Sequence, residues 1–84
     1  MIRNFKGLGT EIAKIRRKQK LTQGEIAERT GLKQQTISEF ENGRPASINT
    51  LFLILEALGM ELQLTPRGVK EAKKADWLLK MGQK

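Results

Sequence analysis

Leu21-Thr22-Gln23-Gly24-Glu25-Ile26 constrains the fold of this chain more than any other stretch. Thr22 followed three residues later by Glu25 is a capping box. The hydroxyl takes an amide of the first turn, and the carboxylate reaches back to the cap's own amide. Leu21 before the cap and Ile26 at the fourth helical position form the matching hydrophobic staple. A helix therefore starts at Gln23 and ends before Gly31, whose missing Cβ suits a left-handed turn residue. Another helix follows after a very short turn, from about Gln34 to Glu41, and Asn42-Gly43 closes it. Thr36-x-x-Glu39 also scans as a capping box, but it falls inside that helix and is a decoy.

Upstream, Leu8, Ile12 and Ile15 recur at helical spacing and predict a first helix from Phe5 or Leu8 to Lys18. Asn4 and Thr10 can both serve as its N-cap. Downstream, Ser47 caps a fourth helix that runs to Leu58, with Gly59 as its stop. Four short helices in so few residues make an all-α bundle, and 84 residues leave no room for a second core.

The fourth helix is unusually apolar. Ile48, Leu51, Leu55 and Leu58 make one face, yet Phe52, Leu53 and Ile54 are apolar as well. A surface helix of a small domain normally keeps a polar face. Either the helix is deeply buried, or a second subunit covers the surplus. The shortness of the chain favours the second, a homodimer. Met60-Glu61-Leu62-Gln63-Leu64-Thr65 then alternates apolar and polar, which predicts a short strand. A lone strand needs a partner, and two symmetry-related copies pairing antiparallel would supply one. Met60, Leu62, Leu64, Leu53 and Ile54 are the expected dimer contacts. Near Thr65-Pro66-Arg67-Gly68 this region, 1–65, gives way to a basic helical tail, 66–84.

Lys and Arg number 16 against 9 Asp and Glu, a net charge of +7, which suits an anionic partner. Lys14, Arg16, Arg17, Lys18 and Lys20 crowd one segment. There is no Cys and no His, which excludes disulfides, Cys/His zinc sites and thiol or imidazole catalysis. No metal and no cofactor are expected. Glu25, Glu28, Glu39 and Glu41 are explained by capping and ion pairing, so the chain does not read as an enzyme. With Phe 3, Trp 1 and Tyr 0 there is no stacking platform for single-stranded RNA. The longest apolar run, Leu51 to Leu55, is far short of the roughly 20 residues of a membrane span. No apolar leader follows the N-terminal charges, so a cytoplasmic location without membrane contact is the expectation.

The helix-turn-helix unit packs two helices steeply through a tight turn. It needs a small residue at the crossing, Gly at the turn and a buried aliphatic on the second helix. Ala27, Gly31 and Ile37 meet these demands in order and spacing. From Phe5 to Gly59 the chain resembles the lambda-repressor-like (Cro/repressor type) helix-turn-helix family. Lys33-Gln34-Gln35-Thr36-Ile37-Ser38-Glu39-Phe40-Glu41-Asn42, then Ile48-Asn49-Thr50-Leu51-Phe52 and Glu61-Leu62-Gln63-Leu64, are most similar to the HipB antitoxins. The resemblance implies a bundle of four to five short helices with a C-terminal strand for dimerisation. It further implies a repressor that binds its operator as a dimer and sequesters a HipA-like Ser/Thr kinase toxin. The alternative is a stand-alone phage-type or restriction-control regulator without a toxin.

Residues at the start of a recognition helix reach base edges, while flanking donors grip phosphates. Lys33 can donate to guanine, Gln34 or Gln35 can bond adenine, and Ser38 is short enough to approach a base. Gln23, at a helix N-terminus, is the expected backbone clamp. Thr36 and Arg44 are further phosphate donors, with Arg17 and Lys20 as additional candidates. Related repressors join the positions of Arg16 and Glu41 by an ion pair, expected here to be partly shielded. A dimer would read double-stranded DNA as an inverted repeat with half-sites about one turn apart. In the tail, Val69 to Met81 is expected to form a helix. Trp77 with Met81 either anchors it in a partner or packs back on the dimer.

Overall fold

The computed structural model describes residues 2–66, which form four helices: α1 Phe5–Lys18, α2 Gln23–Thr30, α3 Gln34–Glu41 and α4 Ile48–Ala57. α3 packs against both α1 and α2, and α2 also packs on α4. Ile12 from α1, Ile26 from α2, Ile37 and Phe40 from α3, and Leu51, Ile54 and Leu55 from α4 make the core, closed by Leu58.

The caps follow from local chemistry. Asn4 is the N-cap of α1, accepting from the Gly7 amide at 2.8 Å. Thr10 lies within the helix and its hydroxyl donates to the Lys6 carbonyl. At α2 both halves of the capping box form, Glu25 N to Thr22 Oγ1 at 3.0 Å and Thr22 N to Glu25 Oε1 at 2.9 Å. Ser47 accepts from the Thr50 amide at the start of α4.

All four helices run into a left-handed residue: Lys20, Gly31, Gly43 and Gly59. After α1, Leu21 N donates to Arg16 O and Lys20 N to Arg17 O, the paired bonds of a Schellman turn. The same pair of bonds closes α3 at Gly43 and α4 at Gly59. At Lys20, with φ 60°, a side chain occupies the conformation that glycine takes elsewhere, at a cost of roughly 1–2 kcal/mol. Lys20→Gly should therefore raise the unfolding free energy by about 1 kcal/mol in urea melts. No gain would show that the turn is unstrained.

Backbone contact also shapes the α1–α3 crossing. Gly9 is buried, and a Cβ there would lie 2.2 Å from the Phe40 carbonyl oxygen and 2.8 Å from that of Glu41. Sequence reasoning missed this residue, because glycine inside a helix reads only as a local weakness.

Four expectations change. α4 stops at Ala57 with Leu58 as its C-cap, and its inner face is Leu51, Ile54, Leu55 and Leu58. Ile48 points outward, 61% exposed, because the first residue of the helix lies beyond the edge of the core. Ile54 is 0% exposed within its own domain, so it cannot be a dimer contact; Phe52 at 51% is the outward residue of that stretch. The strand expected over Met60–Thr65 is absent among the described residues. A strand exists through its ladder, and no backbone hydrogen bond joins residues 61–66 to another described residue. The tail helix with Trp77 and Met81 lies outside the described residues. Among the described residues no helix is long and apolar enough to cross a membrane.

Candidate nucleic-acid interface

Ile37 and Phe40 bury one side of α3 and so aim its other side at solvent. Lys33, the N-cap, accepts the Thr36 and Ile37 amides through its carbonyl, and its side chain makes no cap bond. Lys33, Gln34 and Gln35 are exposed, while Thr36 and Ser38 are half-buried. Gln35 Nε2 stands 3.5 Å from Glu39 Oε2, one turn on.

The first turns of α2 and α3 share one surface. Gln34 Oε1 lies 3.5 Å from where a Cβ on Gly24 would sit. At the start of α2, Thr22 takes the Glu25 amide through its hydroxyl and the Ile26 amide through its carbonyl. The amides of Gln23 and Gly24 are the ones at this helix end that Thr22 does not take. Arg44 is exposed just beyond α3, its own amide bonded to Glu39 O at 3.1 Å. Arg17 and Lys20 are exposed around the end of α1. The structure thus sets Lys33, Gln34 and Gln35 at the first turn of α3, places Ser38 one turn on and half-buried, and leaves Arg17, Lys20 and Arg44 exposed at the ends of α1 and α3.

One network braces this arrangement. Arg16 Nε donates to Glu41 Oε2 at 2.6 Å and Nη2 donates to Oε1 at 3.0 Å, a bidentate pair. Its Nη1 donates to the Leu21 carbonyl at 2.7 Å. Gln23 Nε2 also donates to Glu41 Oε1, at 3.0 Å. One guanidinium and one carboxylate therefore join the end of α1, the turn, the start of α2 and the end of α3. The side chains are 11% and 5% exposed and the bonds between them are part-buried, in line with the expected partial shielding. Burial pushes the Glu41 carboxyl up, but the hydrogen bonds from Arg16 and Gln23, with the nearby charges of Arg16 and Arg17, outweigh it and hold the group below its ordinary value. The hydrogen bond to Glu41 raises Arg16 against the opposing effect of desolvation. The bond from Gln23 to Glu41 escaped sequence reasoning, since it links residues 18 apart with no local signature.

Comparison with known proteins agrees with this geometry. A helix-turn-helix family model matches residues 12–64. Over 51 residues the chain is 41% identical to antitoxin HipB of Escherichia coli, covering 60% of this chain and 54% of that protein. It is similar to HipB in a solved complex containing HipA, with a TM-score of 0.75 and 32% identity, covering 80% of this chain and 96% of that chain. A mutant restriction-modification controller protein bound to its operator site is similar at a TM-score of 0.63 and 26% identity, covering 95% of each chain. These likenesses are to DNA-binding regulators and antitoxins, not to enzymes. The chain belongs to the helix-turn-helix family and is a DNA-binding regulator of the Cro/repressor type.

Proposed function

We propose that the protein is a homodimeric repressor and antitoxin of the cytoplasm, which binds an inverted-repeat operator and sequesters a HipA-like Ser/Thr kinase toxin. The observation that carries the DNA half is the exposed first turn of α3, set beside the Gln23 and Gly24 amides that Thr22 does not take, on a part-buried polar brace. Lys33, Gln34, Gln35 and Ser38 read bases. Gln23, Thr36 and Arg44 hold phosphates, with Arg17 and Lys20 extending that grip along the backbone.

Residues 1–65 form the DNA-binding and dimerisation unit, and 66–84 the tail. Leu62 and Leu64 line an open apolar cleft of about 430 Å³ with Leu8 and Leu51. Exposed apolar surface of this kind marks a protein interface. Met60, Leu62, Leu64 and Leu53, joined by the exposed Phe52, meet the dimer mate. The likeness to HipB in a complex containing HipA supports a HipA-like partner, and Trp77 with Met81 in the tail either docks that toxin or packs back on the dimer. A stand-alone controller is the second reading, favoured by the greater share of this chain covered by the controller protein, 95% against 80%. Co-expression with a HipA-like kinase separates the two: a stable complex supports the antitoxin, and its absence supports the controller.

Base readout has its own test. Gln34→Ala or Gln35→Ala should cost about 1–3 kcal/mol of operator binding and spare binding to random DNA. Arg44→Ala should weaken both alike and flatten the dependence on salt. Equal losses on operator and random DNA for the Gln variants would show that α3 does not read bases.

A further inference from the structure

We infer that Glu41 is a positioning residue for DNA binding, holding the Gln23 side chain in the orientation that clamps a phosphate. This inference rests on the phosphate-clamp role proposed above for Gln23. The ion pair with Arg16 accounts for Glu41 structurally, yet by itself it does not require an acid at this place. Glu41 is the last residue of α3, where the helix dipole disfavours negative charge. It also stands beside a surface that meets phosphates, and a buried ion pair gives little stability that well-packed apolar residues could not match. The carboxylate has a second use.

Glu41 Oε1 accepts from Arg16 Nη2 and from Gln23 Nε2, both at 3.0 Å. Arg16 neutralises the carboxylate, so Gln23 is held by an acceptor that carries no net repulsion toward a phosphate. Gln23 is the first residue of α2. With one N–H of its amide group spent on Glu41, its other N–H and its backbone amide remain available at the helix end. A glutamine ordered only on binding would lose rotamer freedom at that moment, and affinity with it. Here the bond to Glu41 holds the side chain before any DNA is bound.

The test is a coupling measurement on a mixed-sequence duplex of about two turns at low salt, well below every variant's melting temperature. In the wild-type background Gln23→Ala should weaken binding about tenfold. With the ion pair replaced by Arg16→Met and Glu41→Leu, the same Gln23→Ala change should cost less than about twofold. If the double replacement does not fold, Glu41→Asp carries the same comparison, since it keeps the charge for Arg16 and withdraws the carboxylate from Gln23. Equal Gln23→Ala losses in both backgrounds would overturn the positioning role and leave Glu41 a purely structural partner of Arg16. No loss in the wild type would instead remove the clamp itself, and the positioning role with it. The order parameter of the Gln23 side-chain amide gives an independent readout. It should be high in the free wild type and fall when Glu41 is replaced, whereas a mobile amide in the wild type would contradict the inference.

Discussion

Gly9→Ala is expected to cost about 3 kcal/mol, because the new methyl meets backbone and not a side chain that could turn away. Its Cβ would stand 2.2 Å from the Phe40 carbonyl oxygen, so α1 must lift off α3. That crossing carries Ile12 against Ile37 and Phe40 in the core, and the loss spreads to their packing. For a domain of this size the melting temperature should fall by roughly 12–24 °C. Gly7→Ala is the control. Its Cβ would have nothing closer than Asn4 Oδ1 at 3.4 Å, and alanine is the better helix former by about 1 kcal/mol. The two variants should therefore shift thermal melts in opposite directions, or Gly7→Ala should be neutral. A Gly9→Ala protein that melts like Gly7→Ala would show that the helices do not touch through their backbones.

Breaking the Arg16–Glu41 pair from one side should be the other severe change. With each side chain at least 89% shielded, Arg16→Met leaves a carboxylate without its cation, a loss of about 3–5 kcal/mol. Replacing both by Arg16→Met and Glu41→Leu should recover most of that loss, since no charge is then stranded. The pair also has a pH signature. Because the folded state holds the Glu41 carboxyl below its ordinary value, its contribution is fully present above the ordinary carboxylate range of the unfolded chain. It is lost as pH falls through the lower, folded value, where the unfolded chain already binds the proton. In urea melts the wild type should thus lose stability relative to the double variant, which has no Glu41 to protonate, as the solution becomes acid. Glu25 is also held low, by the backbone and side-chain hydrogen bonds of Thr22, but it is present in both proteins and cancels. An Arg16→Met protein as stable as the wild type at neutral pH would contradict the shielding.

The parts of the fold that were readable from sequence are those whose signals are local. The capping box at Thr22 and Glu25 and the stop at Gly31 define α2, and the short turn that follows defines the start of α3. The choice between Asn4 and Thr10 could not be made that way, because both residue types cap helices. It rests on which first-turn amide is within reach, and that is the amide of Gly7. The inner face of α4 was misjudged at Ile48 and Ile54, since seven apolar residues in one helix satisfy several faces equally well. Only the position of α2 against α4 selects Ile54 for the interior. Gly9 and the Gln23–Glu41 bond stayed hidden for a related reason: each depends on where a distant segment lands. No strand forms over Met60–Thr65 among the described residues, because residues 61–66 find no backbone ladder partner there.

The candidate interface shows the same division. That α3 is the recognition element follows from Ala27, Gly31 and Ile37, and the burial of Ile37 with Lys33, Gln34 and Gln35 outside agrees with it. That Arg16 also bonds the Leu21 carbonyl, drawing the turn into the same brace, emerged only from the folded arrangement.

Selection from a pool of random duplexes, with the stoichiometry of the selected complex measured by sedimentation, tests most directly whether this chain reads DNA as a dimer. The expected result is enrichment of an inverted repeat with half-sites about one helical turn apart, bound by two chains. Enrichment should disappear in Gln34→Ala while affinity for unselected DNA persists. A pool that shows no enrichment, or a selected site bound by a single chain without symmetry, would contradict it.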